Sequence, residues 1–373
     1  MKWLARTVAL GCAVAVTWTV PARLASRPAD EFFDGDLNAV RALARSTRTW
    51  LHRDPATLEL GTGSPRFDGE WYLIVHMAAA LGLAQTAIEH PELRREHLPL
   101  VERALDRILL PRGRAHDREA WGEDAMASLE GDRGHLAFLG YANLALSMHR
   151  RLVRSSRFAE ANDAITDGLA RRFSANPDRL LESYPGETYP ADNAVALASV
   201  ALHDRDGAGG RSALVRRALG AMRRLHVDAS SGFLFQRVDS RTGEPRDAAR
   251  ASGTAMAAFA LGYSQPTEAR RYWRALARHS NDVLGFGGVR EYGHAMGSGD
   301  VDSGGVLFGL GVSASGFALA SARRFGDRAR FRSYFESAWL VGLPRERGGA
   351  LGFASGGPIG DTLLFALLTA SRP

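Results

Sequence analysis

The chain has 373 residues, 45% of them hydrophobic and 24% charged, with a formal net charge of +6. It is long enough to bury a substantial core, and no Pro- or Ser-rich linker divides it, so one large domain is expected. Cys12 is its only cysteine and Lys2 its only lysine. If the N-terminal segment is removed, a thiol nucleophile, a thiolate metal site, a disulfide framework and a lysine Schiff base are all excluded.

That segment reads as a signal peptide over residues 1–22. Lys2 and Arg6 precede the apolar run Val8 to Val20, and Val20-Pro21-Ala22 offers small residues for cleavage after Ala22. The run is too short to span a membrane comfortably. The expected product is an exported domain, 23–373, periplasmic or secreted. A lipidated Cys12 and an uncleaved anchor are the alternatives, and membrane contact is expected through this segment only. Removing Lys2 and Arg6 takes the charge from +6 to +4, too modest an excess for a nucleic-acid partner. The arginine clusters Arg150, Arg151, Arg154, Arg157 and Arg323, Arg324, Arg328, Arg330 are expected on solvated helix faces.

In chain order, apolar periodicity and Gly/Pro punctuation predict helices over 37–52, 69–89, 92–110, 134–153, 156–174, 191–203, 210–226, 251–262, 266–280, 303–325, 327–342 and 360–371. Odd-numbered segments carry regular charges, such as Arg41, Arg45 and Arg48, and read as amphipathic surface helices. Even-numbered segments, such as Met77 to Leu83 or Val306 to Gly311, are apolar on nearly every face and read as buried. An inner ring of buried helices within an outer ring of charged ones satisfies both patterns. The expected fold is all-α, an (α/α)6 toroid of six helical hairpins. A small β-hairpin near 232–249 interrupts it, where Gly232 to Val238 alternates and Asp239 to Gly243 turns.

In such a toroid the segments entering the inner helices meet at one end. Here they carry most of the chain's prominent acids, histidines and aromatics. The densest is Tyr184-Pro185-Gly186-Glu187-Thr188-Tyr189-Pro190-Ala191-Asp192-Asn193. Asp68, Asp132, Asp192, Asp302 and Asp361 fall where helix caps belong, so capping competes with function for each. Asp302 and Asp68 have a second acid nearby, Asp300 and Glu70. Glu187 lies too far before its helix to cap it, and the flanking prolines would hold it rigidly, as a general acid or base requires. The candidate catalytic set is therefore Glu187, Asp302, Asp68, His135 and Tyr141. Candidate ligand-binding residues are Trp71, Tyr184, Tyr189, Asn193, Arg250 and His294. No Walker A loop, nucleophile elbow, HExxH or dinucleotide fingerprint occurs, and Asp300-Val301-Asp302 lacks the rest of a calcium loop. No metal or cofactor is expected.

Twelve segments with acids at the inner-helix entrances resemble the six-hairpin toroids of glycan-active enzymes. That resemblance implies hydrolysis, lysis or epimerisation of a glycan or oligosaccharide by carboxylate general acid/base chemistry, with Glu187 partnered by Asp302 or Asp68. A local resemblance, carried by Gly140-Tyr141-Ala142-Asn143 after His135 and by Pro185-Gly186 leading to Tyr189, Pro190 and Asn193, is to the linalool dehydratase/isomerase type of domain. It implies lyase or isomerase chemistry on a hydrophobic alcohol at Asp68, His135 and Tyr141. Tyr189 and Ala198 stand where that family has cysteines, which removes its thiols, and an apolar cavity lined by Phe308, Trp71 and Tyr141 would be needed. A non-catalytic envelope binding protein is the third reading.

Overall fold

A computed structural model describes residues 25–371 apart from 55–57, 59, 177, 205–209, 284, 294–298 and 300–303. The signal-peptide reading of 1–22 lies outside the described residues. After α1 (25–34), the outer helices are α2 Leu37–His52, α4 Arg94–Leu109, α7 Ala159–Ala175, α9 Ser212–Leu225, α11 Pro266–Arg278 and α13 Arg328–Gly342. The inner helices are α3 Pro65–Glu89, α6 Leu136–Leu152, α8 Pro190–Asp204, α10 Ala251–Leu261, α12 Val312–Arg324 and α14 Gly357–Leu368. A short α5, Ala115–Trp121, precedes α6. Each inner helix packs on the next, α3 on α6, then α8, α10, α12 and α14, and α14 returns to α3. The ring is closed, as the alternation of apolar and charged segments predicts.

The inner helices are buried because they are apolar all round. In α3 every residue from Tyr72 to Ala87 is buried. This helix is long and apolar enough to cross a membrane, but its apolar window is 89% buried inside the protein, which makes it a core helix.

Three details differ from the sequence reading. First, residues 306–311 are not helical. β3 Val306–Leu307 and β4 Leu310–Gly311 form a tight antiparallel pair, and α12 begins only at Val312. Phe308 and Gly309 both have positive φ at its tip, a backbone that no helix accommodates. Second, two further strand pairs wall the same end: β1 Ser280–Val283 with β2 Phe286–Val289, and β5 Pro344–Arg347 with β6 Ala350–Phe353. The predicted 232–249 hairpin is present as a fold-back held by the isolated bridges Phe235↔Ala249 and Val238↔Pro245 rather than by continuous strands. Third, Arg323 and Arg324 are buried, not solvated. Arg324 donates to the carbonyls of Phe259 and Ser371.

Asp68, Asp192 and Asp361 are not the N-caps of their helices. Pro65, Pro190 and Pro358 sit in the first turns of α3, α8 and α14, where a missing N–H costs nothing. The helices therefore start upstream of their acids. Asp361 sits inside α14 and accepts from Ser46 Oγ at 2.8 Å, Trp50 Nε1 at 2.7 Å and Phe353 N at 2.5 Å. Asp361→Ala strands three buried or half-buried donors, and a loss of about 2–4 kcal/mol is expected by urea unfolding. Asp132 is exposed, and His135, not Asp132, stands at the N-cap of α6.

Buried histidines give the fold an acid limit. Burial, first of all, holds His76 and His116 down at about 4, against the hydrogen bonds each shares with a backbone carbonyl, Tyr72 O and Ala137 O. Unfolded, each takes up its proton near 6.5. Between those values the unfolded chain binds more protons, so stability rises with pH across that window and is lost as pH falls through it. Thermal midpoints measured from pH 7 to pH 4 are expected to fall, and His116→Gln is expected to flatten the decline.

Candidate active site

The site is built on the first turns of α3 and α8 and on the connection before α8. Within that connection, Pro185 and Gly186 form the centre of a tight turn, with Gly186 at φ 74°. Pro then Gly at those positions is the sequence of a type II turn. Tyr184 and Glu187 are bridged across it, with Glu187 N donating to Tyr184 O at 2.9 Å. The turn holds Tyr184 and Glu187 side by side at the mouth of the ring.

Glu70 and Asp192 form the core of the arrangement. Both are half-buried carboxylates on otherwise buried inner helices. Tyr184 Oη donates to Glu70 Oε2 at 2.8 Å, and Tyr141 Oη donates to Asp192 Oδ1 at 2.6 Å. Tyr141 also reaches Met256 Sδ at 3.3 Å. Burial, then the neighbouring carboxylates, pushes both phenols well up from their ordinary value, Tyr141 through Asp192 and Tyr184 through Glu70. Each tyrosine feels both acids electrostatically, so the two tyrosine–carboxylate pairs form one cluster. The phenols stay protonated and act as fixed donors.

A second layer surrounds them. The Arg66 guanidinium lies 3.8 Å from the centre of the Tyr184 ring, and Nη2 pairs with Glu187 Oε2 at 3.2 Å. Tyr189 Oη donates to the same Glu187 oxygen at 2.9 Å. Burial lowers the basicity of Arg66, but Glu187 and Tyr184 more than restore it, so the net shift is upward. Gly69, between Asp68 and Glu70, lets α3 pass close to α5. A Cβ there would stand 2.8 Å from His116 Cβ. Gly69→Ala is expected to cost about 1–3 kcal/mol in urea unfolding and to lower activity by displacing Glu70.

Other predicted residues lie apart from this cluster or support it. Asp68 accepts from Thr62 N at 3.0 Å and Thr62 Oγ1 at 2.7 Å, tying down the segment before α3. His135 is fully buried. Its Nδ1 lies 2.7 Å from Asp117 Oδ2, its Nε2 3.3 Å from Glu123 Oε1, and its ring lies against Trp121. Asn193 is buried and clips Leu181 through both its amide atoms, at 2.8 and 2.9 Å. Trp71 is half-buried against the core. Arg250 precedes α10, with its guanidinium 5.5 Å from the Tyr292 ring centre. Asp302 and His294, with Asp300, lie outside the described residues. Phe308 is fully exposed at the β3–β4 tip, so it lines no internal apolar cavity. The sequence reading noted Glu70 only as an acid beside Asp68 and Asp192 only where a helix cap belongs, and it left out Arg66. For Glu70 and Asp192 the signal was an acid within the first two turns of a helix whose following turns are apolar. Among the described residues no group of three His, Cys, Asp or Glu side chains is placed to hold a metal ion.

No protein-family model matches this sequence, and no curated protein matches it. Solved structures do match. One is an α-1,6-mannanase of glycoside hydrolase family 76 from Salegentibacter sp. HEL1_6, an inactive variant with two consecutive aspartates replaced, in complex with α-1,6-mannotriose. It is 14% identical over 89% of this chain and 98% of that one, with a TM-score of 0.56. A family 105 glycoside hydrolase from C. acetobutylicum matches at 12% identity over 88% and 98%, with a TM-score of 0.55. An unsaturated glucuronyl hydrolase specific for heparin matches at 10% over 89% and 96%, with a TM-score of 0.54. At these identities the likeness is one of fold, and no two consecutive aspartates occur in this chain. The chain has the six-hairpin toroid seen in solved glycoside hydrolases.

Proposed function

We propose that this protein hydrolyses a glycosidic bond in an oligosaccharide, using Glu70 and Asp192 as its two carboxylates. The observation that carries the reading is the cluster itself: two half-buried acids on inner helices of the toroid, each receiving a hydrogen bond from a buried tyrosine. Glycoside hydrolysis needs two carboxyl groups, one to protonate the leaving oxygen and one to act as base or nucleophile. Fixed phenol donors suit that task, since they hold each carboxylate in one orientation and can strengthen as charge develops on it. Glu187, locked by Arg66 and Tyr189, is assigned to holding the sugar rather than to proton transfer.

The solved structures with this fold act on different sugars by name, a neutral mannan in one case and an unsaturated glucuronide in another. The absence of consecutive aspartates means that the aspartate pair of the mannanase has no sequence counterpart here. We place the substrate among oligosaccharides of the cell envelope, reached by export through the 1–22 segment. The dehydratase/isomerase reading gains no support from the contacts of Asp68, His135 and Tyr141, which go to Thr62, Asp117 and Asp192 respectively.

The test is reducing-end release from neutral mannooligosaccharides and from uronate-terminated oligosaccharides, with product stereochemistry followed by NMR. Turnover on either class that disappears in Glu70→Gln or Asp192→Asn supports the assignment. Full turnover in both variants would sink it. N-terminal sequencing of protein recovered outside the cytoplasm checks cleavage after Ala22.

A further inference from the structure

A cavity of about 440 Å³ lies beside the connection that carries Glu187. It is formed between the end of α9, residues 178–180 and the turn 239–244. Its wall is shared with the candidate active site. Glu187 turns its side chain to Arg66, while the next residue, Thr188, lines the cavity and bridges to Val238. Successive residues of extended backbone face opposite ways, so one strand of chain separates the two spaces.

The cavity is a built site. Asp239 fixes its turn by accepting from Arg241 N at 2.9 Å and Thr242 N at 2.8 Å and pairing with Arg246 at 2.5 Å. Leu180, Leu225 and Val238 supply apolar lining, and Arg179, Thr242 and His226 supply polar groups. His226 is only 3% exposed, and its Nδ1 is shielded without a hydrogen-bond partner. Burial also holds its basicity down. Leu225 stays 51% exposed although it lies at the cavity. The charged lining residues Asp178, Arg179, Asp239, Arg241 and Glu244 are of both signs and nearly cancel, which does not suit a phosphate or a polyanion.

We propose that this cavity binds a neutral hydroxyl-rich ring, a sugar unit of the glycan, as an accessory site beside the Glu70–Asp192 cluster. The apolar lining takes the C–H face of the ring, and Arg179, Thr242 and His226 meet its hydroxyls. The choice of a sugar rests on the glycan-active reading of that cluster. The site itself rests on the cavity and its mixed apolar and polar lining.

The experiment follows the His226 ring resonances of the full exported chain by NMR during titration with α-1,6-mannotriose and, separately, with methyl glucoside. A saturable shift is expected with at least one of them. It should survive in Glu70→Gln and weaken about tenfold in Leu225→Asp, a change at a half-exposed position that leaves the fold intact. His226→Phe, which keeps the volume and removes both ring nitrogens, should weaken binding similarly when read by ligand-observed saturation transfer. No shift with either sugar at its solubility limit overturns the proposal, as does binding unchanged in both cavity variants or abolished by Glu70→Gln. None of these readouts depends on turnover. A chain that cleaves no glycan yet shows the cavity-dependent shift would refute the hydrolase reading and leave the accessory site standing.

Discussion

Replacing Glu70 by Gln, or Asp192 by Asn, is expected to lower turnover by about 10²–10⁴-fold, the range for loss of a positioned general acid or base. The thermal midpoint should move little, because the amide keeps the shape of the carboxylate and can still accept from Tyr184 or Tyr141. The two losses should not add, since the acids act as one unit in the same reaction. Glu187→Gln supplies the contrast. It weakens the ion pair with Arg66, so KM should rise while kcat falls by less than about tenfold. Tyr184→Phe offers an independent reading of the cluster. It removes the donor to Glu70 and should raise the apparent pKa of the group it serves, shifting the pH–rate profile upward. A profile unmoved by Tyr184→Phe would mean that Glu70 does not take part in proton transfer.

Arg323→Met is expected to destabilise the fold by about 3–5 kcal/mol, the cost of breaking a buried charged network from one side. Arg323 is 1% exposed. Its Nε donates to Phe32 O at 3.0 Å, Nη1 to Ala370 O at 2.6 Å, and Nη2 to Glu89 Oε1 at 2.8 Å. One guanidinium thus joins α1, the end of α3, α12 and the residues after α14, the place where the ring closes. Removing it leaves two carbonyls without their donor and the Glu89 carboxylate without its partner. Against a total stability of about 5–15 kcal/mol this is a large share. Calorimetry of Arg323→Met should show a fall of about 5 °C. Arg330→Met, in the same predicted cluster but on the surface with Asp327, should change stability by less than about 0.5 kcal/mol. Equal effects from the two would mean that the network at Arg323 contributes nothing beyond a surface pair.

The amino-acid order by itself determined the ring. Alternation between charged segments such as Leu37–His52 and apolar ones such as Leu136–Leu152 is a local property, since each helix either has a polar face or lacks one. The only way to bury six all-apolar helices in one chain is to surround them with the other six. The entrance segments were legible for the same reason, because Pro, Gly and acids cluster where helices cannot continue. What only the tertiary structure decided is the pairing of side chains across the ring. Glu70 and Tyr184 are 114 residues apart, and Tyr141 and Asp192 are 51 apart. Which acid is capped, which is ion-paired and which faces a cleft depends on contacts between distant elements. Asp68, chosen for its position at a helix entrance, is held by Thr62, while Asp361 is buried under α2 and β6. Arg323 and Arg330 look alike in sequence, yet one is enclosed by ring closure and the other remains in water. Burial is a sum over neighbours that the local pattern does not contain, and in this protein burial sets Arg323 and Asp361 apart from the half-buried pair assigned to chemistry.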